Sequence, residues 1–150
     1  MSDRIIVATF NSSTAAYDAA SALKSLKEKA GVDFKLKAGV MVQKDDRGNV
    51  SLLERKDRPL FGTAVGTTAG ALIGLIAGAP GAALGAALGA TSGLAGDTVM
   101  AGLDSDFIDS VTQEMRPGKT AIIIEADEKN PRLVDDLVAS GGGHVYRQEA

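Results

Sequence analysis

Apolar and polar residues alternate along this chain in three different rhythms. Arg4 to Phe10, RIIVATF, is rich in β-branched residues and predicts a buried strand. NSSTAAYDAASALKSLKEKAG follows, with Ala16, Ala19, Leu23, Leu26 and Ala30 at three-and-four spacing. That spacing predicts an amphipathic helix, with a polar cap among Asn11 to Thr14 and a stop at Gly31. FKLKAGVMVQK alternates next, which predicts a strand with Phe34, Leu36, Ala38, Val40 and Val42 on one face. DDRGN is a turn, and VSLLER returns as the partner strand.

The last third repeats this style. DSDFIDSVTQEM predicts a helix capped by Asp104 or Ser105 that buries Phe107, Ile108, Val111 and Met115. KTAIIIEA is apolar on both faces, so it predicts a strand covered on both sides. NPRLVDDLV opens a second helix with Asn130 as cap and Pro131 in the first helical position. GGG stops it, and HVYRQ predicts a short edge strand. The order strand, helix, strand, strand, helix, strand predicts an α+β fold, a ferredoxin-like sandwich of antiparallel sheet and helices. A single domain spans 1–150, and a helical hairpin at 60–101 interrupts it after the third strand.

The middle rhythm is different. From Gly62 to Gly96 no side chain is charged. Gly62, Gly66, Gly70, Gly74 and Gly78 recur every fourth residue, and Gly81, Gly85, Gly89 and Gly93 do the same. At helical spacing each series makes a smooth stripe, and Pro80 between them turns one long helix into a hairpin. A glycine inside a helix costs about 1 kcal/mol relative to alanine, so the nine cost roughly 9 kcal/mol. Close approach of another helix offsets such a cost. The nine glycines are therefore expected to be helix-packing and oligomerisation positions.

Two settings suit that packing. Leu60 to Ala79 is 20 residues, about 30 Å as a helix and the thickness of a bilayer core. Arg55, Lys56 and Arg58 precede it, as cytoplasmic flanking charges would. The leading expectation is thus a protein that meets a membrane and assembles through its hairpin. The alternative is a soluble cytoplasmic homo-oligomer with the glycine stripe as subunit interface, and the plainest reading has the hairpin cover one face of its own sheet.

Composition narrows the field. The chain has 150 residues, a net charge of -3 and few aromatic residues, which argues against nucleic-acid binding. It has no cysteine, so disulfides and thiolate metal sites are excluded. MSDRIIVATF lacks the pattern of a signal peptide, and the expected location is the cytoplasm, with contact to the inner face of the membrane. RPGKTA holds Gly118, Lys119 and Thr120 but has Gln113 where a phosphate loop needs glycine, and a strand follows instead of a helix. It reads as a turn. His144 is the sole histidine and reads as a surface residue. Asp104, Asp106 and Asp109 lack the loop spacing of a cation site, and Asp135 and Asp136 read as a solvated helix face. Lys24, Lys27, Lys29, Lys35 and Lys37 fit the wet sides of their elements. No catalytic residue, cofactor or metal is expected, and a small-ligand or enzymatic α+β domain is the weakest alternative. The partners expected are further copies of the chain and membrane lipid.

The zipper from Phe61 to Gly93, together with the RIIVATF opening and the GKTAIIIEAD strand, resembles an uncharacterised bacterial family of domains of unknown function described as predicted membrane proteins. The resemblance implies a split α+β domain with an inserted helical hairpin. It carries over no catalytic residue.

Overall fold

The computed structural model describes residues 3–29, 31–53, 72 and 104–149. In chain order these form β1 (Asp3–Phe10), α1 (Ser13–Glu28), β2 (Phe34–Lys44), β3 (Val50–Leu52), α2 (Ser105–Glu114), β4 (Thr120–Glu128), α3 (Arg132–Ser140) and β5 (His144–Glu149). The five strands make one antiparallel sheet in the order β3-β2-β4-β1-β5. β1 and β2 run parallel to each other, and β4 lies between them, antiparallel to both. The central position thus belongs to the fourth strand, while the third strand is a three-residue edge.

Alternation along the strands divides the core into two layers. Ile5, Val7, Val40, Val42, Ala121 and Ile123 face Phe107 and Val111 of α2 and Met115 just after it. Ile6, Ala8, Phe10, Met41, Ile122, Ile124 and Ala126 face Ala16, Ala19, Ala20 and Leu23 of α1 and Val134 and Val138 of α3. β4 is buried at eight of its nine positions, as expected for a strand covered on both sides.

β2 departs from the simple alternating pattern. Its register with β4 slips between Leu36, opposite Ala126, and Ala38, opposite Glu125. This bulge flips the face of everything beyond it. Phe34 and Leu36 therefore join the α1 layer, whereas Val40 and Val42 join the α2 layer. One face for all five apolar positions of this strand is corrected by that single extra residue.

Local chemistry fixes the ends of the elements. Ser12 Oγ accepts the Ala15 N–H at 3.2 Å and caps α1. Asp45 Oδ1 accepts the N–H groups of Arg47 and Asn49, each at 2.9 Å, and Gly48 supplies the positive φ of +86° that closes the β2–β3 turn. Pro131 already has helical dihedrals ahead of α3, and Asn130 Oδ1 accepts the Arg132 N–H at 3.1 Å. The RPGK stretch is a turn whose Gly118 N–H donates to Lys44 O at 2.7 Å, so it continues the sheet rather than cradling a phosphate.

Leu72 is the one described residue of the glycine-rich segment. It is helical and 0% exposed, and it belongs to the α2 layer with Ile5, Val7, Val40 and Phe107.

Candidate functional site

α2 buries Phe107 and Val111, and Met115 just beyond its end, which turns Glu114, its last residue, toward the end of β1. There Glu114 Oε1 accepts the Thr9 hydroxyl at 3.5 Å and pairs with Lys119 Nζ at 3.5 Å. Lys119 Nζ also donates to Asn11 Oδ1. Burial pushes the Tyr146 phenol above its ordinary value of 10.0, and the charge and hydrogen bond of Glu114 push it further in the same direction. Glu114 is taken up by Lys119 and Thr9, and its charge acts on the Tyr146 phenol. His144, opposite Thr9 in the β1–β5 register, is exposed beside this cluster.

A second polar cluster lies on the other face of the sheet. The Glu128 side chain is 0% exposed and accepts Arg147 Nε at 2.9 Å, with Arg4 Nη1 at 3.5 Å. Arg147 also reaches Asp135 at 2.8 Å and donates to Pro131 O at 3.4 Å. One guanidinium thus ties the start of α3 to both β4 and β5. Removing water from a carboxylate is costly unless a paired charge replaces it, and here two arginines do. Glu128 Oε2 and Asp127 Oδ1 are buried without a hydrogen-bond partner among the described residues. Asp135 is therefore a structural ion-pair partner, whereas Asp136 is exposed.

Between α2 and β5 runs an open groove of about 600 Å³, lined by Asp104, Asp106, Phe107, Ser110, Tyr146 and Arg147 among others. The Asp104 N–H donates to Gln148 Oε1 at 2.7 Å and pins the start of α2 against β5 at one end of it. Nothing in the sequence joined these residues, because they lie about forty positions apart and meet only where α2 packs beside β5.

The residues singled out by sequence fall as follows. Gly62, Gly66, Gly70, Gly74, Gly78, Pro80, Gly81, Gly85, Gly89 and Gly93 lie outside the described residues. So does the 60–101 hairpin, apart from Leu72. Asp104, Asp106 and Asp109 are exposed at the start of α2, and among the described residues no three acidic, histidine or cysteine side chains are gathered as a cation site. Lys24, Lys29, Lys35 and Lys37 are exposed. Among the described residues, no helix is long and apolar enough to cross a membrane.

The family model described as a protein of unknown function, DUF1269, matches residues 63–149. The match starts inside the glycine-rich segment and takes in α2, β4, α3 and β5, leaving β1 to β3 outside it. No curated protein and no solved structure matches the chain.

Proposed function

The chain belongs to the DUF1269 family, whose function is unknown, and from that premise we propose a non-enzymatic protein that associates with itself through its glycine-rich helical segment. The observation that carries this reading is Leu72, helical and fully buried on the α2 face of the sheet. In an ideal helix through Leu72, at about 100° per residue, positions 70 and 74 would each come about 160° around the axis from it. With Leu72 on the sheet, such a helix would turn its glycine stripe away from it. The glycines then serve a second helix and not the approach to the sheet, and a second copy of the chain supplies that helix. Burial of Leu72 among side chains also favours protein over lipid as the neighbour of this helix face.

The fold that accompanies this reading is a ferredoxin-like core. The neighbours β5-β1-β4-β2 support it, with β3 added at the edge and the glycine segment and α2 inserted after it. A non-enzymatic role is supported by the way Glu114 and Glu128 are taken up by Lys119, Arg4 and Arg147. The expected setting is the cytoplasm.

The test is the native mass of the full chain, with and without Gly70→Leu and Gly74→Leu together. Leucine raises helix propensity, so helix content is kept while backbone approach is blocked. The expected result is an oligomer in the parent chain and its loss in the variant. A monomeric parent chain, or an oligomer that survives both substitutions, overturns the reading. So does retention of the parent chain in membranes after an alkaline carbonate wash, which would give the stripe to lipid.

A further inference from the structure

We propose that Asn11 is a site of spontaneous deamidation, its side-chain amide giving way to a carboxylate beside Lys119 at the head of α1. The chemistry lies away from the glycine-rich segment and does not rest on the proposed function.

The chain has three asparagines, Asn11, Asn49 and Asn130. In this reaction the backbone nitrogen of the next residue attacks the side-chain carbon Cγ. It therefore needs a small neighbour, an unengaged N–H and a backbone outside helix and strand. Asn130 is followed by Pro131, whose nitrogen has no hydrogen to give up, and its Oδ1 accepts the Arg132 N–H at 3.1 Å. Asn49 is followed by the β-branched Val50, the first residue of β3. Asp45 also holds the Asn49 N–H through Oδ1 and the Asn49 carbonyl through its own N–H, each at 2.9 Å. Asn11 meets every requirement. It is exposed, the small Ser12 follows it, and both lie between β1 and α1. The Ser12 N–H has no acceptor among the described residues.

Two positive groups favour the attack at this position. Lys119 Nζ donates to Asn11 Oδ1, the oxygen on which negative charge collects in the tetrahedral intermediate. Glu114 at 3.5 Å holds that ammonium in place, and the lysine side chain is only 15% exposed. Ser12 caps a 16-residue helix with no acidic residue in its first turn, so the helix end favours the nitrogen anion that attacks. Ser12 N loses its proton to water, and its electron pair forms a bond to Asn11 Cγ. The Cγ–Nδ2 bond breaks, and the nitrogen takes a proton from water and leaves as ammonia. One water then opens the cyclic imide. Opening at Cγ gives aspartate, and opening at the backbone carbonyl carbon gives isoaspartate. Either product adds a negative charge beside Lys119 and ahead of the helix. Isoaspartate also lengthens the backbone by one carbon just before the Ser12 cap that holds the Ala15 N–H.

Tryptic peptides 5–24, 48–55 and 130–132 separate the three asparagines, and each conversion adds one mass unit. After incubation of the full chain at neutral pH, the gain should come first in 5–24. Lys119→Met should slow it about tenfold, and Lys119→Arg should restore it. Ser12→Thr keeps a capping hydroxyl but shields the attacking nitrogen with a β-branched side chain, so it should slow the gain as well. If Lys119→Met loses its far-UV circular dichroism, Ser12→Thr decides alone. A first gain in 48–55 or 130–132, or none in 5–24, overturns the proposal. So does a gain in 5–24 that is as fast in Ser12→Thr as in the parent chain. Asn11→Asp, the first product made directly, should raise Tm by about 1–4 °C, and a lower Tm would refute the effect assigned to its charge.

Discussion

Replacing Leu72 by alanine tests whether the glycine-rich segment is anchored in the fold. Leu72 is fully buried among Ile5, Val7, Val40, Val42, Phe107 and Val111. The substitution removes three carbons from this packing, worth about 2.4 kcal/mol at ~0.8 kcal/mol each. The cavity left behind adds to that loss, and the expected cost is about 3–4 kcal/mol, inside the usual span for leucine to alanine in a core. For a chain of this length that lowers Tm by roughly 6–15 °C. Urea unfolding followed by far-UV circular dichroism reads the change, provided the slope stays constant so that the midpoint reports stability. Asp136→Ala, on the exposed side of α3, is the reference and should stay within about 0.5 kcal/mol. A Leu72→Ala loss below about 1 kcal/mol would refute the reasoning, because a residue enclosed by two strands and a helix cannot be truncated so cheaply. The helix would then lie off the sheet, and the argument that its glycines look outward would fall with it.

Other expectations follow from single contacts. A Cβ on Gly143 would stand 2.7 Å from both Thr9 O and Phe10 Cε1, so Gly143→Ala should cost about 1–3 kcal/mol by chemical unfolding. Gly141→Ala meets Phe10 at 3.3 Å and should cost clearly less in the same assay. Glu128→Gln leaves Arg147 and Arg4 without their buried charge and should cost ~3 kcal/mol, seen as a lower urea midpoint at neutral pH. Tyr146 has its pKa raised on folding, so its contribution is fully present below pH 10.0 and is lost as pH rises through the folded value. The unfolded phenol ionises first there and draws the equilibrium toward it. Tyr146→Phe should therefore flatten the fall of Tm above about pH 10, and an unchanged alkaline slope would contradict the cause assigned.

Much of this fold was legible in local pattern. The α1 stripe and its Ser12 cap, the DDRGN turn, the doubly buried β4 and the stop after α3 each depend on neighbours a few residues apart. Periodicity and turn chemistry report such neighbours well. The face change in β2 was not legible, because one extra residue at Lys37 leaves no trace in an apolar-polar pattern that still alternates. Nor was the central place of β4: strand order depends on pairing across the chain, and VSLLER reads as strongly as a strand that ends up three residues long. The polar clusters were hidden for the same reason. Glu128 and Arg147 are nineteen positions apart, and Glu114 and Thr9 more than a hundred. Asp135 looked like a wet residue on a helix until β5 brought Arg147 beneath it.

The central place of β4 has a consequence for synthesis of the chain. β1 and β2 touch β4 but not each other, so the sheet cannot close until Glu128 has been made. By then the whole uncharged stretch to Gly96 has already been synthesised. At about 5–20 residues per second, the 32 residues from Gly96 to Glu128 take about 2–6 s to add. Throughout that interval Leu72 has no finished sheet to dock on. The nascent chain thus passes through a stage with its least polar segment made and the receiving surface incomplete. A chaperone, a membrane surface or another nascent copy has its best access to the glycine segment in those seconds.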